Sequence, residues 1–246
     1  MIARSLSTAP IRESFISISI AAVIVLLWGL SAYGSLFVLP DVRDMPAIGI
    51  LAVLAGRSFL HTGLFILAHD AMHGTLMPAY PKVNRWAGQL ILGIYSFLSY
   101  ERLSACHHQH HRTPAQTDDP DYYRGSFFQW YGKFMWTYLQ GGQGWVIFWG
   151  MSFLFYPLLF WFHVPLLNAV LFWLLPQAIS SWQLFYFGTY RPHRRPAGGH
   201  TNAHRATSSQ VPPLLSFLSC YHFDYHWEHH QYPHLPWYKL PSVHTR

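Results

Sequence analysis

The sequence predicts an all-α integral membrane protein: four transmembrane helices in two hairpins beneath a cytosolic, histidine-rich cap. Three observations predict it. Hydrophobic residues make up 51% of the chain and charged residues only 11%, where a soluble domain carries about 25%. Long apolar runs come in two pairs, each pair joined by a short turn. All of the 17 histidines except His61 and His163 gather in the polar segments that follow those pairs.

The elements follow in order. The first span, 16–39, has no charge and exceeds the ~20 residues that cross a bilayer. Asp41, Arg43, Asp44 and Pro46 make a turn. The second span, 47–68, is interrupted by Arg57 and His61. A polar segment, 78–85, precedes a shorter apolar stretch, 87–100, that dips into the membrane or lies along it. Residues 101–144 are polar and histidine-rich. Spans three and four, 145–162 and 166–188, are separated by His163, Val164 and Pro165. From Tyr190 onward the chain is polar and basic. The 246 residues form one domain, with no repeat. The first run is too long for a cleavable signal and lacks a small-residue cleavage site.

Arg4 and Arg12 precede the first span; Lys82, Arg85, Arg102, Arg112, Arg124 and Lys133 lie between the hairpins. Arg191, Arg194, Arg195, Arg205, Lys239 and Arg246 follow the last span, and only Arg43 sits in an external turn. By the positive-inside rule both termini and the histidine clusters face the cytoplasm. The net charge of +6 comes from scattered cations, which argues against nucleic acid as a partner. Cys106 and Cys220 offer no disulfide framework and suit a reducing compartment.

Three clusters have metal-ligand spacing. His69 and His73 stand at i and i+4, on one helix face. His107, His110 and His111 share a stripe, with His108 to one side. His226, His229 and His230 repeat the i, i+3, i+4 pattern. These eight imidazoles exceed what one ion binds, so two ions are the natural count. Structural zinc takes four ligands, usually with cysteine, and imidazole suits iron. A neutral shell around two divalent ions needs nearby carboxylates; Asp70, Asp118, Asp119, Asp121, Asp224 and Glu228 are adjacent in sequence. An affinity-tag-like metal sink is terminal and contiguous, unlike these clusters. A metal transporter would place ligands near the midplane, whereas these sit at span ends. His61 and His163 are expected to be structural, and Arg57, a costly charge inside a span, shares a face with His61.

The three clusters resemble the histidine boxes of the membrane fatty-acid desaturase and hydroxylase superfamily. Within it, the stretches at 68–74 (AHDAMHG), 107–123 (HHQHHRTPAQTDDPDYY), 187–194 (FGTYRPHR), 202–209 (NAHRATSS) and 220–241 (CYHFDYHWEHHQYPHLPWYKLP) are similar to carotenoid 4-ketolases of bacterial and cyanobacterial type. The resemblance runs from about residue 15 to the end. It implies two iron ions, O2 as co-substrate and an external electron donor such as ferredoxin. It implies a carotenoid taken from the lipid bilayer and oxidised at C4 of its β-ionone rings, β-carotene giving echinenone and canthaxanthin. Some members carry zeaxanthin to astaxanthin. A carotenoid hydroxylase or an acyl-lipid desaturase with the same diiron site is the alternative. Relatives carry a ninth histidine at the end of the fourth span, where this sequence has none. His193 is the first choice for that ligand, His204 the second and His222 the third. Asp118, Asp119 and Asp121 either orient histidines or form a solvated turn around Pro120; Asp70, inside the first box, is better placed. Trp145, Phe148, Trp149, Phe185 and Phe187 are candidates to line a substrate tunnel.

Overall fold

A computed structural model describes residues 9–244; the orienting cations Arg4 and Arg246 lie outside them. Every regular element among the described residues is helical.

Helix α1 (Ala9–Tyr33) is apolar all round and runs into a π turn, Gly34–Val38. Asp41 then closes a tight turn by accepting the amide N–H of Arg43. Helix α2 (Ala47–Met72) extends four residues beyond the expected span, so the first histidine box begins inside it and His73 caps it. It is the central pillar: α1 and the following helix α3 (Pro81–Ser96) both pack on it. The stretch expected to dip into or lie along the membrane is this amphipathic α3, with Asn84, Gly88, Ile91, Leu92 and Tyr95 turned inward. Helix α4 (Tyr100–Arg112), capped by the Ser99 hydroxyl, carries the second box. Helix α5 (Phe127–Leu139) opens with a capping box between Ser126 and Gln129. Helix α6 (Gln143–Phe160) presents Trp145, Phe148, Trp149 and Phe153 outward.

The expected fourth span is one unbroken helical run. Helix α7 (Leu166–Ala169), a π turn (Val170–Leu174), α8 (Leu175–Phe185), a second π turn (Tyr186–Tyr190) and α9 (Arg191–His193) follow directly on one another. Among the described residues, three helical stretches are long and apolar enough to cross a membrane: Ala9–Val38, Ala47–Met72 and Gln143–Phe160. The run from 166 is not among them; Asn168, Gln177 and Gln183 make it more polar. Asn168 anchors its start, accepting from Val42 N and donating to Pro40 O.

Among the described residues Arg57 has no carboxylate partner. Its guanidinium donates to the carbonyls of Phe172, inside the first π turn, and Trp28, and to the Ser31 hydroxyl. It also lies over the Trp28 ring. A π turn leaves a carbonyl out of the regular ladder, and a buried carbonyl needs a donor. His61 accepts the Trp28 indole N–H, so Arg57 and His61 join one polar clasp between α1, α2 and the 166–193 run.

Helix α10 (Pro213–Cys220) packs on α2 and α8. Tyr221 and His222 then both take left-handed backbone conformations, which turn the chain sharply into α11 (His226–Gln231), carrier of the third box.

Candidate metal centre

Each box reaches the centre for a local reason. On α2 and α4 the i, i+3 and i+4 spacings stack imidazoles on one face. On α11 three of six residues are histidines, and all three are buried. His193 ends the 166–193 run just after the second π turn. One extra residue in a helical turn rotates the rest of the helix by about 100°, so this turn helps to set the direction in which His193 points.

The imidazoles form two groups. His69, His73, His107 and His229 have ligand nitrogens within 4.8 Å of one another, and so do His110, His193, His226 and His230. His111 lies between: its Nε2 is 2.9 Å from His229 Nε2 and its ring stacks on His230 at 4.1 Å. All nine histidines expected as ligands therefore meet in one place, His193 included.

The donor set fits metal ions. Nε2 pairs approach to 2.7 Å (His73 and His107) and 3.1 Å (His110 and His230; His226 and His230). Two nitrogens bound to one ion at about 2.0–2.1 Å stand about 3 Å apart at a right angle. The Nε2 atoms of His69 and His193 are buried without a hydrogen-bond partner among the described residues. Metal binding needs neutral imidazole. Burial, reinforced by neighbouring imidazoles, holds His107, His226, His229 and His230 well below the usual histidine range and brings His73 down to about 3. His110 is the exception: burial pushes it down, but the hydrogen bond and charge of Asp119 push it up further.

The surrounding shell corrects several expectations. Asp119, not Asp118, faces the cluster, accepting from His110 Nδ1 at 2.9 Å. Asp118 is exposed and accepts from the Gln109 amide. Asp119 is held by the amides of Ala115 and Asp121, so the segment around Pro120 is not merely a solvated turn. Asp70 is buried 3.8 Å from His69 Nδ1 and also receives the Trp237 amide, pinning the C-terminal segment to the first box. His193 Nδ1 donates to Arg205 O. His204 bonds Gln231 instead, and His222 bonds the Ser216 hydroxyl; neither joins a group. His108 is exposed and turned back on Ser104. Glu228 faces away from the imidazoles, toward Ser208 and His244. His244 gave no signal in the sequence: it belongs to no box and has no helical partner.

An apolar cavity of about 330 Å³ ends on His69, His107, His110 and His226. Phe65, Leu103, Phe134, Leu184 and Phe223 form its walls. Away from the histidines it reaches Ile147 of α6 and Gln177 and Ala178 of α8, and Ala178 is exposed. None of the five aromatics expected in a tunnel lines it. Trp145, Phe148 and Trp149 are exposed, Phe185 is wholly buried in packing, and Phe187 packs against the core. Part of the wall comes from α5, whose Tyr131, Phe134, Met135 and Tyr138 sit in a segment read from sequence only as polar.

Two four-histidine groups, with a ninth imidazole between them, are compatible with a diiron site. The sequence matches the fatty acid desaturase family over residues 45–153 and 143–246. A beta-carotene ketolase of Paracoccus sp. (strain PC1) is 37% identical over 94% of this chain and 93% of its own length. A second beta-carotene ketolase, from Paracoccus sp. (strain N81106 / MBIC 01143), is 39% identical over 82% of this chain and 83% of its own. A zeaxanthin 4-ketolase of Chlamydomonas reinhardtii is 38% identical over 95% of this chain, which spans 54% of that longer protein. With the family match running from residue 45 to the end and taking in all three histidine boxes, the chain belongs to the fatty acid desaturase family.

Proposed function

We propose that this chain is a membrane-embedded β-carotene 4-ketolase. The observation that carries the reading is a cluster of nine imidazoles, four of which (His69, His107, His110 and His226) line one end of an apolar cavity whose other end reaches outward-facing helices. The similarity to proteins named beta-carotene ketolase supports the substrate class. In this reading His69, His73, His107 and His229 hold one iron, His110, His193, His226 and His230 hold the other, and His111 serves either. The iron pair, when bound, supplies the O2 chemistry that breaks an unactivated C–H bond.

The protein's own residues do the rest. Asp119 fixes the ring orientation of His110 through Nδ1. Phe223 lies edge-on to His69 at 4.9 Å and shapes the cavity floor. The cavity has room for a terminal ring and a short stretch of polyene; the remaining chain lies outside, among lipid. Its apolar walls exclude water from the reacting ring. The 166–193 run serves as the fourth span, and the metal centre faces the cytoplasm. Electrons arrive from a soluble one-electron carrier such as ferredoxin. The groove lined by His73, His108, Arg85 and Arg112 offers it the shortest approach, since His73 and His111 alone among the nine are partly exposed.

Pigment analysis of β-carotene-accumulating cells, with and without the gene, tests the reading. Echinenone and canthaxanthin are expected. Hydroxylated rings without ketone would indicate a carotenoid hydroxylase. Unchanged β-carotene, with iron-loaded protein in the membrane, would indicate an acyl-lipid desaturase.

A further inference from the structure

The cavity wall is apolar except for a few side chains, and nearly all of these satisfy one another. Tyr131 pairs with Ser181, Ser96 with Gln177, and Tyr95 with Ser180. Tyr138 donates to one oxygen of Asp121, Oδ1. Besides the imidazoles, whose His69 Nε2 and His226 Nδ1 are also unpartnered, two lining groups keep hydrogen-bonding capacity with no partner among the described residues: the Thr189 hydroxyl and the second oxygen of Asp121, Oδ2. Both residues are buried, at 5% and 6% exposure. A helical threonine ordinarily returns its hydroxyl to a carbonyl three or four residues back. Thr189 makes no such bond; it sits in the second π turn, one turn before His193. Asp121 stands against His110, within the 4.8 Å grouping of His110, Asp119 and Asp121. Asp121 therefore lies at the histidine end of the cavity, and Thr189 follows Gly188, which lies against Phe223 beside His69. Thr189 and Asp121 both line the cavity, which leaves these oxygens open to something that enters.

Resting on the ketolase reading, we infer that Thr189 and Asp121 hold the hydroxyl of the half-oxidised ring and retain it for its second oxidation. Ketone formation needs two turns at one carbon. In each, a C4–H bond becomes C4–OH: one atom of O2 enters the ring and the other leaves as water, with two electrons from the one-electron carrier and two protons. The second turn gives a geminal diol, which loses water to leave the ketone. β-Carotene brings no hydrogen-bonding group, so Thr189 and Asp121 do nothing to hold the starting ring. The alcohol brings one O–H, which donates to Asp121 Oδ2 while its oxygen accepts from Thr189. The cavity thus favours the intermediate over the substrate, and the alcohol stays until it is consumed.

The test is the ratio of 4-hydroxy to 4-keto rings formed from β-carotene in membranes containing wild-type or variant enzyme. Thr189→Val keeps the shape and removes the hydroxyl; it is expected to raise the alcohol-to-ketone ratio about fivefold, the equivalent of one hydrogen bond. Thr189→Ser should restore the wild-type ratio, and Asp121→Asn should shift it in the same direction as Thr189→Val. With the 4-hydroxy carotenoid supplied as substrate, KM should rise in Thr189→Val relative to KM for β-carotene. Lower turnover at an unchanged ratio would show a purely structural role and overturn the inference. A wild-type enzyme that leaves both rings unoxidised would overturn the ketolase reading itself, and this inference with it.

Discussion

Gly188 lies so close to Phe223 that a β-carbon on it would sit 2.3 Å from a ring carbon of Phe223. Phe223 in turn packs edge-on against His69 and His226. A glycine on the 166–193 run thereby fixes an aromatic ring that braces members of both imidazole groups. Gly188→Ala must push Phe223 aside, an overpacking that costs about 1–3 kcal/mol. The expected outcome is a lowered Tm in detergent and ketone formation reduced at least tenfold. Wild-type values of both would show that the ring moves freely.

Asp119 acts on the site through His110 Nδ1. Removing such an orienting carboxylate weakens metal binding by about 10–100-fold. Asp119→Ala should therefore copurify with less iron, measured by elemental analysis, while Asp118→Ala, altered only at an exposed bond to Gln109, should keep it. Equal iron in the two variants would contradict the assignment.

The ninth ligand can be tested among three histidines. His193→Ala should lose iron as severely as His229→Ala, because both belong to the four-histidine groups. His204→Ala and His222→Ala should retain it, since their rings bond Gln231 and Ser216. Iron loss in His204→Ala with retention in His193→Ala would reverse the choice.

Acid should destabilise the cap. Burial holds His107, His226, His229 and His230 far below the usual histidine range and His73 at about 3. An unfolded chain protonates the same rings near pH 6.5. Between the folded and unfolded values the unfolded chain binds more protons, so stability rises with pH there and falls as pH drops below about 6.5. His110, held up by Asp119 against its own burial, contributes with the opposite sign, fully below about 6.5 and lost as pH rises through its folded value. The depressed rings outweigh the single raised one. The Tm of the metal-free protein in detergent should fall steadily from pH 7 to pH 5; a flat profile would contradict this balance.

The histidine boxes were legible because helical periodicity alone puts i, i+3 and i+4 on one face, and the structure brings those rings together. His193 was a choice among three, since a π turn resets helical direction and leaves no reliable mark in sequence. Asp118 and Asp119 are indistinguishable in sequence; the turn that closes on the amides of Ala115 and Asp121 decides which one faces inward. Trp145, Phe148 and Trp149 misled because an apolar face is the same text whether it meets lipid or a cavity. Helix α5 was illegible for the converse reason: Ser126, Gln129 and Lys133 made a cavity wall read as a polar segment.

The run from 166 to 193 is fastened at both ends. Asn168 ties its start to the chain at Pro40 and Val42, and His193 closes it among the imidazoles. At 1.5 Å per residue its length is roughly 40 Å, more than the ~30 Å hydrocarbon layer. In its proposed role as the fourth span, a rod clamped in this way has its tilt set by the protein. In a membrane of the wrong thickness, lipid tails must stretch or compress around it, and the position of His193 relative to the other ligands stays constant.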